Sequence, residues 1–200
     1  MFCDPNYYDR DNPYPINKGE YSILRRCLYG KEVHDYVIQY GKLFWETYKD
    51  NRKFLRLYFI DPHEPSGEVA KYVDQPLFQF LNDFMNKGLF EKNSIFLISD
   101  HGLHMGAIYQ AMNTDDYNIE KLLPMLILLI HDYKNDDYNL RLNQDILISG
   151  YDLYNTLMYC ALGISENFGE RGNNIFSYIE TKFRNCTTIG VEKESFCKCK

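Results

Sequence analysis

Two short apolar runs, each stopped by an aspartate with a histidine close behind it, confine this chain to a narrow set of folds. Residues 53–60 (Lys-Phe-Leu-Arg-Leu-Tyr-Phe-Ile) run into Asp61-Pro62-His63-Glu64, and residues 94–99 (Ser-Ile-Phe-Leu-Ile-Ser) run into Asp100-His101-Gly102-Leu103-His104. Runs this apolar read as strands buried on both faces. Between them Leu77, Phe78, Leu81, Phe84 and Met85 recur at helical spacing. That predicts a helix over 74–87, with Asp74 as its cap, Pro76 in its first turn and Gly88 just past its end. Strand, helix, strand predicts a parallel pair with a right-handed crossover. In open α/β sheets ligands bind outside the carboxyl ends of the strands, where both Asp-His loops fall.

The remaining organisation is sparser. Residues 1–26 hold Pro5, Pro13 and Pro15 among Asn, Asp and Tyr, the pattern of an irregular arm. Val33, Tyr36, Val37, Tyr40, Leu43, Phe44 and Tyr48 predict an amphipathic helix over 32–50. Residues 124–130 are a third strand candidate. Residues 152–162 read as a short helix with Asp152 as its N-cap and Gly163 beyond its end.

Composition excludes several classes. Hydrophobic residues at 45% are too many for a disordered chain. A formal net charge of -6, without a basic stripe, argues against a nucleic-acid partner. The longest apolar run, residues 122–130, is broken by Pro124 and is too short to cross a bilayer. The first residues have neither the basic nor the apolar region of a signal peptide. The six cysteines nevertheless include Cys186, Cys197 and Cys199 crowded at the end, which suits disulfides in an oxidising compartment. Free thiols or zinc ligands are the alternatives, although Cys197-Lys198-Cys199 has poor spacing for a zinc half-site.

Asp100 and His101 are the sharpest chemical candidates. Where a strand breaks into a turn, a carboxylate and the following imidazole can converge on one or two cations. A hard oxygen beside a borderline nitrogen suits zinc or manganese. His63 is placed to serve near a leaving oxygen as acid or hydrogen-bond donor. Asp61 and Glu64 are candidates for a second cation or for orienting its ligands, and His104 for orienting them. Glu120 reads as structural, and His34 and His131 as surface or packing residues.

Residues 93–106 (Asn-Ser-Ile-Phe-Leu-Ile-Ser-Asp-His-Gly-Leu-His-Met-Gly) resemble the T-I-x-x-x-S-D-H-G-x-x-x-G signature of the alkaline phosphatase and sulfatase superfamily. His63-Glu64-Pro65 resembles its His-x-Pro loop, and residues 74–88 the helix before the signature strand. Residues 120–127 resemble its E-x-x-x-P-x-x-I segment, and residues 151–157 its Y-D-x-x-x-T-L helix. The tail, from Arg171-Gly172 through Arg184-Asn185-Cys186 to Cys199, resembles that of one uncharacterised sulfatase-like family of secreted or membrane-anchored eukaryotic proteins. The likeness spans residues 27–199.

The resemblance implies an α/β fold, part of an alkaline-phosphatase-like three-layer sandwich with a mostly parallel sheet whose N-terminal half is missing. Residues 27–165 would be the C-terminal part of that domain and 166–200 a cysteine-containing tail. It implies a metal-dependent hydrolase of phosphate or sulfate esters, with Asp100 and His101 as metal ligands and His63 beside the ester. The metal would be zinc, with manganese or calcium as alternatives, and the substrate a small-molecule or glycan ester. The full protein would be extracellular or a membrane-anchored ectodomain. Superfamily members carry their nucleophile and further ligands ahead of the segments matched here, and no Cys-x-Pro-x-Arg occurs in this chain. Neither Ser99 nor Thr114 occupies a nucleophile position. The chain alone is therefore expected to be inactive. A catalytically inactive extracellular binding domain is the competing expectation.

Overall fold

A computed structural model describes residues 27–63, 67, 69–104, 111, 114–130, 137–163, 167, 169, 171–191 and 196–197. The backbone divides into two units, residues 1–90 with 98–126 and residues 91–97 with 127–200. Among the described residues the chain is mixed α/β, with two sheets of two strands each.

The first unit opens with a hairpin, β1 (Cys27–Leu28) against β2 (Lys31–Glu32), which pair antiparallel. Helix α1 (Val33–Thr47) follows directly and packs against α2 (Ala70–Asn86). Trp45 meets Phe84 edge-on at 5.3 Å, and Lys42 reaches Asp83 at 2.8 Å on the rim of the contact. The helices form where expected; α2 keeps most of its expected inner face, whereas α1 turns a different stripe inward. In α1 the inward stripe is His34, Ile38, Gly41 and Trp45, while Tyr40, Leu43 and Tyr48 face out. The sequence offers two apolar stripes on α1, and the one carrying a histidine and a glycine is buried. Gly41 explains part of the choice. A side chain there would come within 2.8 Å of Leu57, so the missing Cβ lets residues 53–60 lie close to the helix.

Helix α2 starts one turn earlier than the sequence predicts. Asp74 is therefore an interior residue rather than its cap, and Pro76 lies inside the helix. Proline in a helix interior removes a backbone bond and costs ~3 kcal/mol or more. The inward residues Val73, Leu77, Phe80, Leu81 and Phe84 offset that cost by burial. Phe78 and Met85, expected on that face, are exposed. Gly88, at φ 66°, follows the helix end as expected.

Residues 53–60 alternate strictly, with Lys53, Leu55, Leu57 and Phe59 half-buried and Phe54, Arg56, Tyr58 and Ile60 exposed. That is the period of a strand. The expected strand is nevertheless not formed: no neighbour among the described residues gives the segment a ladder, and only one face is covered. The second run does form a strand, β3 (Ile95–Ile98), paired with β4 (Leu126–Leu129). Just past β3, Ser99 N–H donates to the Met125 carbonyl at 3.0 Å and Gly102 N–H to the Lys121 carbonyl at 3.1 Å. Residue numbers rise on one side as they fall on the other, so these two strands run in opposite directions. The expected parallel sheet is not among the described elements. Helix α3 (Asp115–Leu122) lies between β3 and β4, and Thr114 Oγ1 caps it by accepting from Tyr117 N–H.

The second unit gathers its core around Ile175, Phe176 and Ile179, packed by Leu128, Ile130, Leu140, Ile146, Ile148 and Tyr159. Helix α4 (Asp137–Leu142) leads through a short 3₁₀ turn to α5 (Gly150–Leu162). The N-cap of α5 is Ser149, not Asp152. Asp152 sits three residues on, and its Oδ2 accepts both the Ser149 N–H and the Ser149 hydroxyl. Its reach extends further, because Oδ1 accepts from Asn173 N–H and Oδ2 from Arg184 Nη2, with Asp152 wholly buried. Thr156 donates to the Asp152 carbonyl and accepts from Ile175 N–H, and Asn143 donates to the carbonyls of Ile175 and Ser177. The Tyr-Asp-x-x-x-Thr-Leu segment thus anchors the tail. Cys186 and Cys197 form a disulfide, and Cys199 lies outside the described residues. No described helix is long and apolar enough to cross a membrane.

Candidate functional site

The loop after residues 53–60 is built from the buried side of α1. His34 and Asp61 are both buried, and His34 Nδ1–H donates to Asp61 Oδ1 at 2.8 Å. A buried carboxylate left alone is costly, so this imidazole partner fixes where Asp61 can sit. The turn closes when His63 N–H donates to the Ile60 carbonyl at 2.9 Å. Asp61 Oδ2 is buried and has no hydrogen-bond partner among the described residues, an acceptor that a proton, a water or a cation would satisfy. The reading of Asp61 as a turn carboxylate near the site is thus refined: one of its oxygens is committed to His34. Glu64 lies outside the described residues.

The loop after β3 is held from the other side. Met125 N–H donates to Ser99 Oγ at 2.7 Å, and a Cβ on Gly102 would stand 1.7 Å from the Glu120 carbonyl oxygen. Glycine is needed at 102 because the chain at 120–121 passes against it, which ties the Asp-His-Gly motif to the Glu-x-x-x-Pro segment. His101 N–H donates to Asp100 Oδ1 at 3.0 Å, and His101 Nδ1–H to the Gly102 carbonyl at 2.8 Å. With Nδ1 protonated, Nε2 carries the lone pair, and it stands 3.7 Å from Asp100 Oδ2.

The two loops meet through their imidazoles. The His104 ring lies edge-on to His101 with centroids 4.5 Å apart, and to His63 with centroids 5.9 Å apart. Desolvation first, and then the neighbouring His101, His63 and Lys121, hold the His104 pKa below the ordinary imidazole value. The site residues expected from the sequence, His63, Asp100, His101 and His104, thus lie in one neighbourhood of the first unit.

These groups suit a cation in part. Around a tetrahedral zinc, with bonds of about 2.0–2.2 Å, adjacent ligand atoms stand about 3.4 Å apart. The Asp100 Oδ2 to His101 Nε2 separation needs little adjustment to reach that value. A backbone carbonyl accepting from the far ring nitrogen is the usual way a ligating histidine is oriented. The pair is also open to solvent, with 75% of the Asp100 side chain and 43% of that of His101 exposed. Among the described residues, however, no three His, Cys, Asp or Glu side chains gather closely enough to hold a metal by themselves. Asp100 and His101 by themselves would leave such a coordination shell incomplete.

The His34–Asp61 pair was missed in the sequence, where His34 read as a surface or packing residue. Its signal was the i, i+4, i+7, i+11 series His34, Ile38, Gly41, Trp45, a buried stripe beginning with a titratable group. His131 lies outside the described residues.

One family, described as a protein of unknown function (DUF229), matches residues 16–200. No curated protein matches, and no solved structure does.

Proposed function

We propose that this chain, which belongs to the DUF229 family, is part of a metal-dependent hydrolase of phosphate or sulfate esters, a sulfatase-like member of the alkaline phosphatase superfamily. One observation carries the reading. The chain just past two separate segments, 53–60 and β3, brings the His63 and His101 rings against that of His104, with the Asp100 carboxylate 3.7 Å from His101 Nε2. Structural packing alone does not call for three imidazoles and a carboxylate on an open surface, whereas ester hydrolysis does.

In this reading Asp100 and His101 would hold a divalent cation, preferably zinc, with the remaining ligands and the attacking group coming from residues beyond those described. Such a cation, when bound, would supply polarisation of the ester oxygens and favour a deprotonated nucleophile. The chain's own residues do the rest. The Gly102 carbonyl fixes the His101 ring by accepting from Nδ1–H. Asp61, held by His34, sets the turn that presents His63. His104, whose pKa its surroundings hold below the ordinary imidazole value, stands between His63 and His101 as a candidate proton acceptor. A small-molecule or glycan ester is the substrate class. The Cys186–Cys197 bridge is compatible with an extracellular setting, which is the proposed one.

The second reading is a binding domain that keeps the fold without the chemistry. It draws support from the incomplete ligand set among the described residues. Assaying the full-length protein on aryl phosphate, phosphodiester and sulfate esters separates the two. The hydrolase reading expects turnover that a chelator abolishes, that zinc restores and that Asp100→Ala removes. Absence of turnover on all three ester classes by zinc-loaded full-length protein favours the binding domain.

A further inference from the structure

We propose that Asn185 carries an N-linked glycan. Asn185-Cys186-Thr187 is the one Asn-x-Ser/Thr tripeptide in the sequence, with a residue other than proline in the middle. Such tripeptides occur by chance, so what the structure adds matters more. Asn185 and Thr187 are both exposed, while Cys186 between them is buried in the disulfide to Cys197. The tripeptide is thus pinned at its centre and presented at its two reactive ends.

The hydrogen bonding leaves the reacting atoms open. Asn185 Oδ1 accepts from Thr188 N–H at 3.1 Å, and Thr188 Oγ1 accepts from Asn185 N–H at 2.9 Å. The amide is therefore oriented through its oxygen, and among the described residues its Nδ2 makes no hydrogen bond. The Thr187 hydroxyl is likewise uncommitted there, since Thr188, not Thr187, caps the turn. Two residues upstream, Phe183 exposes 70% of its surface in the same turn, where the Thr188 hydroxyl donates to its carbonyl at 3.1 Å. An exposed ring at that offset offers apolar cover to the C–H face of a first sugar.

The transfer balances without any redox partner. Asn185 Nδ2 gives up a proton and forms a C–N bond to the anomeric carbon of a glycosyl diphospholipid, and the diphospholipid leaves with the bonding electron pair. The donor belongs to the same oxidising route in which the neighbouring disulfide forms. Disulfide and glycan thus make one consistent statement about the tail.

The test is made on the full-length protein produced in a secretory eukaryotic cell. Peptide mass spectrometry is expected to find the 185-containing peptide carrying hexosamine-cored glycan. Enzymatic release of the glycan should convert Asn185 to Asp and remove one glycan's gel shift. Asn185→Gln and Thr187→Ala should each abolish that shift, whereas Thr187→Ser should keep it. The last pair of variants separates loss of the acceptor from loss of folding. Exported, disulfide-bonded protein with Asn185 unmodified would overturn the proposal, as would retention of the wild-type protein in the cytosol.

Discussion

The Glu120 carbonyl occupies the space that a side chain on Gly102 would need, at 1.7 Å from an added Cβ. Because backbone rather than a flexible side-chain end stands there, the clash cannot be relieved by a rotamer change. Gly102→Ala is expected to break the Gly102–Lys121 bond and loosen the Asp100-His101 loop. Overpacking of this kind costs about 1–3 kcal/mol. Denaturant unfolding of this variant should show the loss. A variant as stable as the parent would contradict the close approach.

Asp152 is expected to be the most sensitive position of the second unit. It joins the start of α5 to Asn173 and Arg184, and the Arg184 side chain is itself buried. Removing one partner of a buried ion pair typically costs ~3–5 kcal/mol, since the other charge is left uncompensated. Asp152→Ala should therefore release the tail. Limited proteolysis would show cleavage after about residue 163 at protease levels the parent resists. A surface change such as Glu180→Ala serves as the control.

Much of this arrangement was visible in the residues beforehand, and what was hidden had a common cause. Helices α1, α2 and α5 follow from local periodicity, and β3 and β4 from short apolar runs bounded by Asp-His-Gly and by Pro124. The buried face of α1 did not follow. Tyr40, Leu43 and Tyr48 make a stripe on α1 as apolar as the buried one, and the fit of Gly41 against Leu57 is part of what decides between them. Asp152 was legible as a capping residue, but as the N-cap itself, a place that Ser149 takes three residues earlier. Its bonds to Asn173 and Arg184 join positions 21 and 32 residues away, and no local pattern announces them. The strand expected over 53–60 shows the same limit from the other side. Its apolar run is in the sequence, but a strand exists only where a neighbour supplies the ladder. At the site, the histidines could be listed from the sequence. The His34–Asp61 pair beneath them could not, because it needs α1 laid across the loop.

His104 offers a direct electrostatic check in metal-free protein. Its pKa is held down by desolvation first and by His101 and His63 next. His101→Asn and His63→Asn should each raise it, though not fully to the ordinary value, because the desolvation remains. Imidazole proton shifts followed by NMR titration measure this. A depressed folded pKa means the unfolded chain binds more protons, so this group's contribution to stability falls as pH drops below about 6.5 towards the folded value. An unchanged His104 titration in both variants would contradict the ring contacts.

The Cys186–Cys197 bridge closes a short loop, with the two cysteines 11 residues apart. Constraint of the unfolded chain by such a bridge is worth about 2–4 kcal/mol. Reduction, or Cys197→Ser, should lower the thermal midpoint, and non-reducing peptide mapping should recover the linked pair. Recovery of Cys186 linked elsewhere would contradict the bridge.

The central claim is that Asp100 and His101 face one cation, and crystallographic anomalous scattering at the zinc edge tests it most directly. In zinc-soaked full-length protein, the account predicts a peak between Asp100 Oδ2 and His101 Nε2, within about 2.0–2.2 Å of each. The peak should be absent from the Asp100→Ala crystal under the same soak. Zinc found only at other residues, with Asp100 and His101 left facing solvent, would contradict it.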